Sequence, residues 1–107
     1  MRVVWTAEAR LRLLEIQARI AERSPQAART VVARLLRRSQ SLATPPLLGK
    51  PLWLAEYPDE DLRQLLERPF RIVYRVTSAQ IEIMTLKHYR QNLPGNPGPQ
   101  GSSPRGT

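Results

Sequence analysis

The chain has 107 residues with a formal net charge of +8, no cysteine and one histidine, which fits one domain with a single core and excludes disulfides, thiolate metal sites and a multi-histidine zinc centre. A domain this small has little surplus for a deep pocket, so neither a cofactor nor a metal is expected. No apolar run nears the ~20 residues of a membrane span and the N-terminus lacks a signal-like apolar stretch, so the chain is expected in the cytoplasm with no membrane partner.

Arg2–Trp5 reads as a short strand built on Val3, Val4 and Trp5. Thr6 is placed to cap the helix that follows, and Glu8 suits its first turn. Over residues 7–22 apolar side chains recur at 7, 11, 14, 18 and 21, with a second row at 13, 16 and 20. This spacing predicts an amphipathic helix with a wide apolar stripe. Ser24-Pro25 restarts the chain with an N-cap and a proline at the first helical position. Apolar or small residues at 28, 31, 32, 35, 36, 39 and 42 predict a second helix over 25–42. The very short link between the two makes them an antiparallel hairpin.

Pro45, Pro46, Gly49, Pro51 and Pro58 exclude regular structure from residues 43–58. Leu47, Leu48, Leu52, Trp53 and Leu54 are expected to pack that segment on the core. Asp59-Glu60-Asp61 reads as an acidic turn. Strands are predicted over Leu62–Glu67, Phe70–Thr77 and Gln80–Lys87, joined at Arg68-Pro69 and Ser78-Ala79 as an antiparallel meander. In the middle strand Phe70, Ile72, Tyr74 and Val76 alternate with Arg71, Val73, Arg75 and Thr77, so the first set faces the helices. Residues 93–107, with four prolines and four glycines, cannot offset their ordering entropy and are expected as a disordered tail to a domain of residues 1–92. The order β-α-α-β-β-β predicts an α+β fold, an antiparallel sheet with a helical hairpin packed on one face.

The charge is unevenly spread. Residues 1–50 carry ten basic side chains against three acidic ones, a balance of +7, and residues 51–107 carry seven against six, a balance of +1. Such a bias points to a face for an acidic protein or a nucleic acid, with Arg29, Arg34, Arg37 and Arg38 of the second helix as candidate contacts. Arg71 and Arg75 share the strand face turned away from the helices, about 13 Å apart, where two guanidiniums can grip carboxylates or phosphates. Arg63 is a third candidate whose register the sequence leaves open. The same arginines also suit the ordinary solvated face of a half-covered sheet.

His88 is the one histidine of the chain, and Tyr89 and Arg90 follow it at the end of the last strand. A histidine, a tyrosine and arginines can support RNA cleavage by 2′-hydroxyl attack: two groups move protons and the arginines stabilise the phosphorane. A histidine closing a strand is the plainer reading. Glu56, Asp59, Glu60 and Asp61 read as a solvated loop run. No phosphate loop, GxGxxG or nucleophile elbow is present.

The start VVWTAEA, the restart SPQAA, the segment PPLLGKPLWLAEYPDEDLRQL, the strand FRIVYRV and the end IEIMTLKHYR stand in the order seen in ParE/RelE-type toxins, which the chain resembles over residues 1–92. Leu62-Arg63, Arg71-Ile72-Val73-Tyr74 and His88 carry the resemblance most specifically, and the long connection looks like the ParE branch. Phe70 stands where the family usually has Tyr, and Gln91 where ParE-like chains often have a second Arg. The resemblance implies the toxin fold of that superfamily. It implies the toxin of a type II toxin–antitoxin pair, also known as a plasmid stabilisation protein, held in a hetero-oligomer by a cognate acidic antitoxin that wraps around it. It implies DNA gyrase as a target inhibited without chemistry. Arg29, Arg34, Arg37, Arg38, Arg71, Arg75 and Arg90 are the candidate contacts to the target or the antitoxin. The alternative is a RelE-like ribosome-dependent mRNA endoribonuclease with Arg63, Arg71, Arg75, His88 and Tyr89 as its catalytic set. A third reading is an inactive relative that only binds antitoxin.

Overall fold

The computed structural model describes residues 1–44 and 49–90. Its elements are β1 (Arg2–Trp5), α1 (Ala7–Ala21), α2 (Pro25–Gln40), a 3-10 turn at Ser41–Ala43, β2 (Lys50–Leu52), β3 (Asp61–Glu67), β4 (Phe70–Val76) and β5 (Gln80–His88). The strands form one sheet in the order β1-β5-β4-β3-β2. The expectations for Leu47, Leu48 and the tail 93–107 fall outside the described residues.

The α+β arrangement with a helical hairpin on one sheet face is the one expected. The sheet itself is mixed rather than wholly antiparallel. β2, β3, β4 and β5 pair antiparallel, but β1 runs parallel to β5, with Arg2 opposite Gln80 and Trp5 opposite Ile83. No hairpin joins β1 to β5, so no tight turn forces them antiparallel. The proline-rich segment also contributes β2, which was not expected. Pro51 is compatible with it because an edge strand turns half of its backbone groups away from the ladder.

The helix starts follow their caps. Thr6 Oγ1 accepts from the Ala9 amide at 3.2 Å, and Ser24 Oγ accepts from the Ala27 amide at 3.0 Å. The Thr6 hydroxyl also donates to the Ile83 carbonyl at 2.8 Å, tying the start of α1 to β5. This fixes the rotation of α1. Ala9 is fully buried and Leu13 and Ile16 pack on the core. The longer apolar row does not: Leu11 and Leu14 are 52% and 59% exposed, and Ala7 and Ala18 lie on the exposed side with them. α2 is fixed by a buried relay in which Trp5 Nε1 donates to Ser39 Oγ at 3.2 Å and Ser39 Oγ donates to the Leu36 carbonyl at 2.8 Å.

Two apolar clusters sandwich the sheet. On the helix side Ile72 and Tyr74 of β4 meet Leu35, Leu42, Leu65, Ile81, Ile83 and Leu86, with Phe70 and Val76 packed at the margin. The four alternating residues of β4 thus face the helices as predicted. On the other side Leu52, Leu54, Leu62 and Val73 form a smaller cluster with Met84. Trp53 is 55% exposed, since period-2 alternation turns it away between two inward leucines. A register shift opposite Val73 and Tyr74 places Met84 outside the regular pairing, so Thr85 opposes Val73 and Ile83 opposes Tyr74.

Candidate functional site

The end of the sheet where β5 stops and the β3–β4 turn lies gathers several sequence candidates. The Tyr89 amide donates to the Pro69 carbonyl at 2.7 Å and anchors the segment after β5 to that turn. His88 stacks on Tyr89 with ring centroids 5.2 Å apart and meets Phe70 edge-on at 6.0 Å. Its Nδ1 accepts from the Arg90 amide at 3.3 Å. The guanidiniums of Arg68 and Arg90 lie over the Tyr89 ring at 5.4 and 5.6 Å. Arg90 Nε also donates to the Tyr89 hydroxyl at 3.2 Å. That hydrogen bond, then the charge of Arg90, then that of Arg68 hold the phenol below the ordinary tyrosine range.

The rest of the set does not converge there. β3–β4 pairing puts Arg63 opposite Tyr74, on the helix-side face, whereas Arg71 and Arg75 occupy the other face. Arg63 is therefore not their neighbour. It binds Asp61 through Nε at 3.1 Å and Nη2 at 3.3 Å, and Asp61 raises its pKa, first by that hydrogen bond. Arg75 is held by Glu82 through Nε and Nη2 at 2.9 and 2.6 Å and by Glu60 through Nη1 at 2.7 Å. Glu60 and Asp61 are exposed, as expected of a solvated run, and each also holds an arginine. Arg71 opposes Lys87, while His88 opposes Phe70 on the helix-side face.

The α2 arginines divide into two kinds. Arg34 donates from Nε to Glu67 at 3.2 Å and from Nη2 to the Arg68 carbonyl at 2.6 Å. Arg38 Nε lies 3.5 Å from the other Glu67 oxygen. Arg29 and Arg37 are exposed. Sequence reasoning did not single out Arg12 and Arg19, which line a cleft of about 420 Å³ with Ile16, Phe70, Leu86 and His88. Their spacing of seven places them on one side of α1, but only the packing shows which strand ends that side overhangs. Arg68 was missed for the same reason, because its contact with Tyr89 crosses two strands.

No group of three or more potential metal ligands is clustered among the described residues, and none of their helices is long and apolar enough to cross a membrane. The arrangement offers charged and stacking contacts to a macromolecule. Of the expected catalytic set Arg63, Arg71, Arg75, His88 and Tyr89, it brings only His88 and Tyr89 together.

Comparison with known proteins agrees with the fold and the resemblance. The curated protein Y4kP of Sinorhizobium fredii, named as a candidate toxin, is 37% identical over 95 residues, covering 87% of this chain and 93% of the relative. A solved structure described as the chromosomal ParDE toxin–antitoxin system from P. aeruginosa superposes with a TM-score of 0.66 at 26% identity, covering 82% of this chain and 95% of that one. The family model described as the ParE toxin of the type II toxin–antitoxin system parDE matches residues 3–93, and the chain belongs to that family.

Proposed function

We propose that this chain is a toxin that acts by binding DNA gyrase and is neutralised by a cognate acidic antitoxin. One observation carries the choice of binding over catalysis: the arginines expected to cleave RNA with His88 do not gather around it. His88 is on the helix-side face, Arg71 is on the other, and Arg63 and Arg75 are already occupied by carboxylates. General acid–base catalysis requires its groups within hydrogen-bond reach of one reacting centre.

The exposed row on α1, with Leu11 and Leu14, and the 43%-exposed Leu36 on α2 support docking of an amphipathic antitoxin segment on the helical hairpin. Exposed Arg29 and Arg37 of α2 would speed its association if it is acidic. The alternative is a ribosome-dependent mRNA endoribonuclease, favoured by the lowered phenol of Tyr89 beside His88.

Expression without antitoxin, followed in parallel by DNA supercoiling, DNA breaks and mRNA 5′ ends, tests the choice. Loss of supercoiling or accumulation of gyrase-dependent breaks with intact mRNA is the expected result. Codon-positioned mRNA cuts that precede DNA damage and vanish in His88→Ala would establish the nuclease instead.

A further inference from the structure

The three arginines of β3 and β4 differ in what surrounds them. Arg63 and Arg75 each have carboxylates of this chain within hydrogen-bond reach. Arg71 has Gln64 Oε1, 3.2 Å from Nη1. Its Nε and Nη2 are buried and have no hydrogen-bond partner among the described residues. Buried donors left unpaired are destabilising, and native structures hold few of them. Desolvation lowers the pKa of Arg71, yet a guanidinium keeps its charge.

Arg38 reaches the same place from α2, and its Nε is likewise buried without a hydrogen bond, with Glu67 at 3.5 Å. Both arginines line a cleft of about 430 Å³ together with Lys50, Gln64, Leu65 and Leu66. Among the described residues three cationic side chains and no carboxylate line this cleft.

We propose that the cleft binds a carboxylate side chain of a partner protein, with Arg71 as the anchoring donor and Arg38 and Lys50 supplying favourable charge. Nε and Nη2 form one edge of the planar guanidinium fork, and that edge matches the two oxygens of a carboxylate. The two unpartnered donors are therefore the pair that one carboxylate satisfies at once. The cleft wall favours a protein source over a nucleic acid. Leu66 is 43% exposed and Leu65 lines the same cleft, so an acidic residue flanked by an apolar one meets both kinds of surface. Single strands are held by basic grooves with aromatic platforms for the bases, and this cleft has aliphatic sides. The assignment does not depend on gyrase being the target.

The test uses the full chain with ¹⁵N-labelled arginine. The probes, at fixed ionic strength, are an end-blocked peptide of alternating Glu and Leu, sodium acetate, inorganic phosphate and a short single-stranded RNA. The peptide is expected to shift the Arg71 Nε resonance and slow exchange of its proton at concentrations where the other probes do not. Arg71→Met should weaken peptide binding at least tenfold while melting at or above the wild-type midpoint, because it removes a buried, unsatisfied cation. If Arg71→Met melts well below wild type, Arg71→Lys serves instead, since it keeps the charge and loses the two-donor edge. Stronger binding of phosphate or RNA at Arg71, no response to any probe, or full peptide affinity in the variant would each overturn the assignment.

Discussion

The amide of Gly49 donates to the hydroxyl of Tyr74 at 2.7 Å, so the start of the β2 edge is pinned to the centre of the sheet by a fully buried phenol. A Cβ at Gly49 would collide with that hydroxyl and stand 2.7 Å from the Gln64 carbonyl oxygen. Gly49→Ala is expected to cost about 1–3 kcal/mol through overpacking. Tyr74→Phe should cost a similar amount, about 1–3 kcal/mol, by leaving the Gly49 amide without its acceptor. Urea unfolding of the two variants measures both.

Burial raises the Tyr74 pKa above that of an ordinary phenol, more than the Gly49 hydrogen bond lowers it. The folded state therefore keeps a proton that the unfolded state releases first. Stability is expected to fall as the pH rises above the ordinary tyrosine value of about 10. In Tyr74→Phe part of that fall should disappear.

Glu82 behaves in the opposite sense. Hydrogen bonds from Gln80 and then Arg75 hold its carboxyl below the ordinary range. Its contribution is present above the unfolded pKa and is lost as the pH falls through the folded one. Glu82→Gln should cost about 1 kcal/mol at neutral pH, since both partners are only partly shielded from solvent. It should also make acid unfolding less steep, as followed by circular dichroism.

Tyrosine titration separates two environments. Tyr89 is expected to ionise below an ordinary phenol and Tyr74 above it. Arg90→Ala should move Tyr89 upward and leave Tyr74 in place, as read from ring resonances in an NMR titration. An unmoved Tyr89 would mean that Arg90 does not set its proton affinity.

Exposed and buried leucines of the helical hairpin should respond differently to substitution. Leu14→Lys adds a charge at a site that is 59% exposed and should change stability by less than about 0.5 kcal/mol. Leu35→Ala on α2 empties a site that is 1% exposed and should cost about 2–5 kcal/mol. Leu14→Lys should nevertheless weaken antitoxin binding, measured by calorimetry with the purified antitoxin.

Much of this was legible in the residues themselves. Thr6 and Ser24-Pro25 mark helix starts because their side chains or ring satisfy local backbone geometry, and the alternation Phe70, Ile72, Tyr74, Val76 marks the buried face of β4 because strand parity needs no partner. The family could be recognised in the order of five short segments. Relations that depend on distant chain could not be read this way. Which row of α1 is buried follows from the Thr6 bond to Ile83, between residues far apart in sequence. That Arg63 stands opposite Tyr74 while Arg71 and Arg75 face the other way follows from β3–β4 register, and a one-residue slip would reverse it. The occupation of Arg75 by Glu82 follows from the β4–β5 register, which sets the two residues opposite each other. Local propensity and periodicity act over a few bonds, so the sequence alone determined both helices, four of the five strands and the buried face of β4. Register and rotation are set by contacts across the sheet, so only the tertiary structure decided which charged groups meet.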